Sequence, residues 1–216
     1  MAWKSKEKIA IMEPLSLVSD VMSMVLREEG GLLIKGAVKN FSALFYLIQI
    51  RRLDVIFTEI YDEHTTIIEG VNYIREIKKR YPNIDLIIHT EIDMPALLVQ
   101  SNADFIHMKK LSMNECRESL TKILKVGSML SVLFHDSRKI NYNYKNLSEI
   151  EWEILMLYSK GLKNSDIAEL KETTVQSISR RKRIIMSKLN IVNNTAFKNF
   201  LALSGKKFGE YPLVKI

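Results

Sequence analysis

Between Lys8 and about Lys125, two patterns of apolar positions alternate along the chain. Short runs of branched apolar residues, typical of buried strands, are separated by segments whose apolar positions recur at helical spacing. The predicted strands are residues 8–12, 32–38, 53–60, 84–90 and 104–108, and the predicted helices lie within 17–26, 42–50, 65–81, 94–100 and 114–124. This alternation predicts an α/β doubly wound parallel sheet with helices on both faces and a functional crevice at the C-terminal ends of its strands.

The first predicted helix has an apolar face. Six residues are expected on that face: Leu17, Val18, Val21, Met22, Val25 and Leu26. Positions that recur at helical spacing lie on one side of a helix, so we expect all six residues to face the core.

The second part of the chain is helical. After residues 126–146, which show no sustained period, helices are predicted at 147–161, 164–171, 173–189 and 194–203. Ser148 with Glu151 is a capping box, Gly161 marks a helix end, Asn164 or Ser165 can cap the second helix, and Thr174 can cap the third. Four short helices cannot bury their faces singly, so we expect one compact bundle.

The third of these helices has two faces. Its buried stripe is predicted to be Val175, Ile178, Ile185 and Leu189, and its polar stripe Gln176, Ser179, Arg180, Arg183 and Ser187, flanked by Arg181 and Lys188. A tight turn before a helix of this kind is the geometry of a helix-turn-helix, whose second helix enters the DNA major groove. Arg can bind guanine, Gln can bind adenine, Ser can serve either base, and the remaining cations can bind phosphates. Taken alone, the run of four cations would also fit an ordinary solvated basic face.

Composition narrows the class of protein. A net charge of +7 with a pI near 9.3 favours acidic partners, nucleic acid first and anionic membrane second. No signal peptide or membrane span is predicted, and Cys116 has no second cysteine for an intramolecular disulfide, which together favour the cytoplasm. The four His residues lack metal-ligand spacing, and no P-loop, GxGxxG or nucleophile elbow occurs. We therefore expect no metal, no cofactor and no enzyme.

Residues 147–191, LSEIEWEILMLYSKGLKNSDIAELKETTVQSISRRKRIIMSKLNI, resemble the DNA-binding domain of the LuxR/NarL family of bacterial regulators. The signature positions are Leu147, Ser148, Glu153, Leu155, Gly161, Asn164, Ile167, Ala168, Ser177, Ile178, Ile185, Lys188 and Leu189. The resemblance implies sequence-specific binding to double-stranded DNA, with Ser179, Arg180 and Arg183 near the bases. It favours the DNA-binding interpretation of the basic run. The candidate DNA-binding residues are Thr174, Gln176, Ser179, Arg180, Arg181, Arg183 and Lys188.

The first part of the chain resembles the receiver domain of two-component response regulators, which has a flavodoxin-like fold. In that family an acidic pair and an Asp bind magnesium, the Asp accepts a phosphoryl group, and a Thr or Ser and a Lys contact that group. The corresponding residues here are Glu13 with Pro14, Glu59, Thr90 and Lys109. One carboxylate is therefore missing, and Glu replaces the acceptor Asp. The resemblance implies a degenerate receiver that is not phosphorylated by the usual route. Either Glu59 pairs with Lys109 and locks one signalling state, or both are rim residues of a crevice without function.

A receiver without its acceptor, joined to this helix-turn-helix, is similar to auxiliary regulators of enteric bacteria of the RcsA and BglJ type. This resemblance implies a homodimer, or a heterodimer with an RcsB-like response regulator, associated with the nucleoid when bound and not with a membrane. Two alternatives stay open: a phosphorylation-switched response regulator, and an interaction module that titrates a partner regulator. The predicted boundaries are 1–127 for the receiver-like domain, 128–142 for a linker, 143–208 for the helix-turn-helix domain and 209–216 for a tail.

Overall fold

A five-stranded parallel sheet forms the centre of the N-terminal part. The structure is a computed structural model that describes residues 7–28, 32–109 and 145–210. The strands are β1 (Lys8–Met12), β2 (Leu33–Val38), β3 (Val55–Thr58), β4 (Asp85–Thr90) and β5 (Phe105–Met108). Their order in the sheet is β2-β1-β3-β4-β5, with every neighbouring pair parallel. The predicted doubly wound α/β architecture is confirmed.

Helices cover both faces of the sheet. They are α1 (Ser16–Glu28), α2 (Phe41–Ile50), α3 (Ile67–Arg80) and the short α4 (Pro95–Leu98), which a 3-10 turn continues over Val99–Ser101. One buried cluster lies between α1 and the sheet face that carries Ile9, Ile11 and Phe57. A second cluster lies on the opposite face, against α2 and α3. Alternate residues of each strand thus enter different cores, which explains why the strands are almost continuously apolar.

The strand order reverses between β2 and β3 on either side of β1. In open parallel sheets the loops that follow the strands separate at such a reversal and leave a crevice. Glu13 directly follows β1, and Glu59 directly follows β3. The fold therefore brings these two carboxylates to the same end of the sheet.

Four further helices form the C-terminal part: α5 (Glu149–Ser159), α6 (Asn164–Leu170), α7 (Val175–Lys188) and α8 (Asn194–Ser204). The predicted capping box of Ser148 and Glu151 is present, and Gly161 ends the α5 turn with a φ of +84°. The predicted cap of α6 is wrong, because Asp166 accepts from the Lys163 amide at 2.9 Å and Asn164 instead bonds Tyr158. Asn164 is drawn into the bundle because its side chain can both accept and donate there.

The C-terminal helices pack on α3. Arg75, which is 8% exposed, donates to the Gln100 carbonyl at 2.7 Å and to Glu149 at 2.7 Å, and its guanidinium lies 4.8 Å from the centre of the Trp152 ring. Trp152 Nε1 donates to Asn72 at 2.7 Å. The apolar cluster on the α2 and α3 side of the sheet continues through Trp152 into the helical bundle. The two parts therefore share a packed interface with satisfied polar groups.

A second contact joins the chain after α8 to the loop between β3 and α3. The Ile67 amide donates to the Lys206 carbonyl at 3.0 Å, and the Phe208 amide donates to the Asp62 carbonyl at 3.2 Å. The Phe208 ring lies 5.8 Å from that of the buried Tyr61. This segment thus docks on the loop that begins at Glu59.

Two details of the predicted helix faces are wrong. Leu17 is 70% exposed in the first turn of α1, which begins at Ser16, while Met22, Val25 and Leu26 are buried as predicted. Val175 is 45% exposed at the first position of α7.

Several predictions lie outside the described residues. They are the helix at 114–124, the linker at 128–142 and most of the tail at 209–216. Within the described ranges, every helix is too short or too polar to cross a membrane.

Candidate nucleic-acid interface and receiver crevice

Helix α7 is fixed to the bundle by its apolar side. Ile178, Ile185 and Leu189 are buried, at spacings of seven and four residues that place them on one stripe. Thr174 caps the helix, since its hydroxyl accepts from the Ser177 amide at 3.1 Å. The cap and the buried stripe together set the orientation of the opposite face.

The opposite face of α7 carries the predicted polar stripe. Gln176, Arg180, Arg183 and Ser187 are exposed, and Arg181 is half-exposed beside them. The guanidinium groups of Arg180 and Arg183 therefore point to solvent rather than into the bundle. No part of the chain that the structure describes covers them, so this face is accessible in the observed arrangement of the two parts.

Lys182 belongs to the same basic run but serves a different purpose. Its ammonium lies 4.9 Å from the centre of the Phe197 ring and 5.6 Å from that of Tyr158, and it donates to Asn194 at 2.9 Å. Partial burial, with Lys198 nearby, lowers the pKa of Lys182. The four consecutive cations are thus divided between the exposed face and the packing of α8.

Ser179 and Lys188 are already engaged within the bundle. Asn164 Nδ2 donates to the Ser179 hydroxyl at 2.9 Å, which leaves the hydroxyl proton of Ser179 available to another acceptor. Lys188 Nζ lies 2.6 Å from Glu151 Oε2 and 3.2 Å from the Asn146 carbonyl. Burial alone would raise the pKa of Glu151, but the hydrogen bonds from Lys188 and Ser148 outweigh it and lower that pKa. The sequence did not distinguish Lys188, which forms an ion pair within the bundle, from the exposed cations.

The crevice at the C-terminal ends of the strands brings together the four residues predicted for it. Lys109 Nζ lies 2.6 Å from Glu59 Oε2 and 2.7 Å from Glu13 Oε2, and both carboxylates are almost fully buried. Glu59 Oε1 accepts from the Ile60 amide at 2.8 Å, and Glu13 Oε1 accepts from the Leu15 amide at 3.1 Å. Thr90 is buried at the end of β4, where its hydroxyl accepts from the Ile92 amide at 3.1 Å. The predicted Glu59–Lys109 pair is therefore present, with Glu13 as a third member.

The electrostatics of this triad favour a charged lysine. Burial would lower the pKa of Lys109, but the Glu59 and Glu13 carboxylates outweigh that effect and raise it. Burial raises the pKa of Glu59, with the nearby Glu13 adding to the rise and Lys109 opposing it. The two carboxylates thus share one ammonium.

The crevice does not fit a magnesium ion. Mg²⁺ needs several oxygen ligands in near-octahedral geometry, and Pro14 supplies no side-chain oxygen. The Lys109 ammonium lies between the two carboxylates that remain, where it would repel a cation. The structure thus offers an internal cation in place of a metal.

A buried histidine pair adjoins the crevice. His89 and His107 are register partners on β4 and β5, and their rings stack 4.9 Å apart. Burial lowers the pKa of His89 well below its usual value, and His107 and Lys109 lower it further.

Comparisons with known proteins agree with this architecture. The chain is 26% identical over 141 residues to the transcriptional regulatory protein RcsB of Escherichia coli, an alignment that covers 62% of this chain and 65% of RcsB. It is 27% identical over 135 residues to the response regulator protein VraR of Staphylococcus saprophyticus, covering 59% of this chain and 65% of VraR. In both cases the match spans slightly less than two thirds of the relative. No family model matches the chain.

Solved structures extend the fold likeness to most of the chain. RcsB from Salmonella enterica serovar Typhimurium, bound to the P1flhDC promoter with phosphomimetic BeF3⁻, superposes with a TM-score of 0.59 at 22% identity, covering 91% of this chain and 98% of RcsB. Another Salmonella typhimurium RcsB structure gives a TM-score of 0.55 at 21% identity, covering 92% and 98%. The chain therefore shares the two-part fold of RcsB and is similar in sequence to response regulators of the LuxR/NarL type.

Proposed function

We propose that this protein is a sequence-specific DNA-binding transcriptional regulator and not an enzyme. Helix α7 is the reading helix, and it enters the major groove with its Gln176, Arg180 and Arg183 side. The observation that carries the proposal is the division of α7 into a buried apolar stripe and an exposed guanidinium-bearing stripe. Such a helix presents donors in the fork geometry that guanine accepts.

Similar proteins support the proposal. RcsB is named a transcriptional regulatory protein, and one of its structures is described as bound to a promoter. We extend that activity to this chain because it shares the fold of RcsB over 91% of its length. We place the regulator in the cytoplasm of a bacterium, with residues 143–208 as its DNA-binding domain.

Phosphorylation independence is the second part of the proposal. The Lys109 ammonium lies between Glu13 and Glu59 and offsets one of their two negative charges, so the crevice is partly compensated without magnesium or a phosphoryl group. Glu59 is also one methylene longer than the usual acceptor, and both its oxygens are engaged. We infer a degenerate receiver held in one signalling state by this triad.

Dimer formation is the third part of the proposal. One helix-turn-helix covers only a few base pairs, so useful specificity requires two half-sites and two copies of the reading helix. We propose either a homodimer or a heterodimer with an RcsB-like response regulator, in the manner of the RcsA and BglJ type.

The DNA-reading part is tested with Arg180→Ala and Arg183→Ala. Each change removes an exposed guanidinium without altering the buried stripe, so the fold is retained. We expect each variant to lose about 1–3 kcal/mol of discrimination between its operator, selected from random duplexes, and an unrelated duplex. Lys79→Ala, an exposed charge on α3, is the matched control. Unchanged footprints in both arginine variants would remove α7 as the reading element.

The receiver part is tested by treatment with acetyl phosphate and magnesium, followed by phosphate-affinity electrophoresis. We expect no shifted band, whereas authentic RcsB run in parallel is the positive control. A band that disappears in Glu59→Gln or Asp54→Asn would support the phosphorylation-switched alternative. If the protein binds its partner but neither it nor the complex crosslinks to DNA through α7, the titrating module is correct instead.

A further inference from the structure

A basic hollow lies beside the C-terminal half of α7. Its volume is about 400 Å³, and it is lined by Lys145, Arg180, Arg183, Ile184, Ser187 and Lys188. Glu151 neutralises Lys188, but Lys145, Arg180 and Arg183 are exposed cations. The hollow is therefore positively charged and opens on the same side as the exposed stripe of α7.

Lys145 lines the hollow but lies outside α7. It precedes α5, and its backbone is held by the N-terminal part of the molecule. Gln100 Nε2 donates to the Lys145 carbonyl at 3.3 Å, and Gln100 Oε1 accepts from the Leu147 amide at 2.8 Å. Gln100 is fully buried, and its own carbonyl accepts from Arg75 at 2.7 Å. Lys145 is thus placed next to α7 by a residue of the receiver-like part.

The position of the hollow along α7 indicates what it faces. The helix has 14 residues, and at about 1.5 Å per residue it is longer than the major groove is wide, which is about 12 Å. With Gln176, Arg180 and Arg183 near the bases, the end that carries Ser187 lies at the rim of the groove, where the phosphates are. Phosphate oxygens accept from ammonium and hydroxyl groups, and the hollow provides both in Lys145 and Ser187, next to the two guanidinium groups that we assign to bases.

We propose that this hollow is a binding site for a DNA backbone phosphate, in which Lys145 is a contact residue and Gln100 is its positioning residue. The inference rests on the proposed DNA binding and adds a contact outside the helix-turn-helix itself. It makes the receiver-like part a determinant of affinity for DNA of any sequence, because Gln100 belongs to that part.

Lys145→Ala is the direct test, with Lys79→Ala as the matched loss of one exposed positive charge. Affinity for the selected operator and for a random-sequence duplex is measured by fluorescence anisotropy at about 50 mM and 200 mM salt; each phosphate contact accounts for a factor of about 3–4 between these two concentrations. We expect the salt effect to shrink by that factor in Lys145→Ala, equally for both duplexes. In Lys79→Ala it should stay as in the wild type.

Two results have distinct meanings. If the wild-type protein binds neither duplex, the proposed function fails. If the wild type binds with a steep salt dependence and Lys145→Ala behaves like Lys79→Ala, only the phosphate site is overturned.

Gln100 is tested in a double-mutant cycle. Gln100→Met, checked for a native circular-dichroism spectrum, should reproduce the Lys145→Ala loss in the wild-type background. In the Lys145→Ala background it should add nothing, because its effect passes through Lys145. Should Gln100→Met disrupt the fold, Gln100→Ala replaces it. Additive losses would remove Gln100 from the site and leave Lys145 as the contact residue.

Discussion

Replacing Lys109 by Met tests the internal cation of the crevice most directly. Met is similar in length and apolar, so the change removes the charge with little change in volume. Glu13 and Glu59 are 1% and 2% exposed and lie 2.7 Å and 2.6 Å from the ammonium. Without Lys109 these two buried carboxylates face each other without a counter-ion.

The expected loss of stability is large. Removing one partner of a buried ion pair costs about 3–5 kcal/mol, because the other partner stays buried and uncompensated. Lys109 is 15% exposed, so solvent screens the triad only slightly. We expect a decrease in the free energy of unfolding near the upper end of that range, since two carboxylates lose the same partner.

The stability lost in Lys109→Met should be larger at high pH than at low pH. In the wild type the pKa of Glu59 is raised above that of the unfolded chain, so stability falls as pH rises from about the unfolded carboxyl value, 4.5, through the folded value. Lys109 has a raised pKa, so its contribution is fully present below about 10.5 and is lost as pH rises through its folded value. In Lys109→Met the lowering effect of Lys109 on Glu59 is gone, so the stability gained on acidification should increase.

Urea unfolding followed by circular dichroism, at about pH 8 and about pH 5, measures both effects. Lys79→Met is the control for an exposed lysine and should change stability by no more than about 0.5 kcal/mol. Glu59→Gln combined with Lys109→Met should recover part of the loss. A decrease below about 1 kcal/mol at the higher pH, or equal decreases at both, would contradict the buried triad.

Three smaller perturbations test other parts of the structure. Arg75→Ala should lower the free energy of unfolding by about 1.5–3 kcal/mol through the lost bond to Gln100, and it should split thermal unfolding into two transitions. Arg80 forms only an exposed i,i+4 pair with Glu76, so Arg80→Ala should have neither effect. Gly70→Ala would place a Cβ 1.6 Å from the Ile60 carbonyl oxygen. We therefore expect the free energy of unfolding in urea to fall by at least about 1–3 kcal/mol. Unchanged stability would disprove that close approach. Thr174→Ala should lower stability by about 1 kcal/mol, measured by the melting temperature, unless the α7 cap is not formed.

Periodicity predicted the elements well because each strand and helix buries its own side chains. The strand at residues 8–12 has the predicted bounds, and α7 ends within one residue of its predicted end. Burial of Ile178 and Ile185 follows from their spacing alone. Leu17 and Val175 were misplaced because both lie in the first turn of a helix, where spacing cannot tell whether a neighbouring element extends far enough to cover them.

Contacts between the two parts could not be predicted from local patterns. Arg75 looks like a solvated cation on an amphipathic helix, yet it is buried against Trp152 and Gln100. Gln100 gives no signal in the sequence, because its role depends on a segment 45 residues later. The crevice was partly predictable, since the ends of parallel strands meet at one edge, but the shared position of Lys109 between Glu13 and Glu59 required the structure.

The docking of Phe208 on Tyr61 has a consequence for synthesis of the chain. The Ile67 amide and the Tyr61 ring have partners that lie near the far end of the described chain, so the nascent N-terminal part leaves the ribosome with this loop incomplete. At about 5–20 residues per second the wait is on the order of ten seconds. During that interval the Tyr61 ring lacks its Phe208 contact, and the loop that begins at Glu59 is completed only when the last part of the described chain has been made.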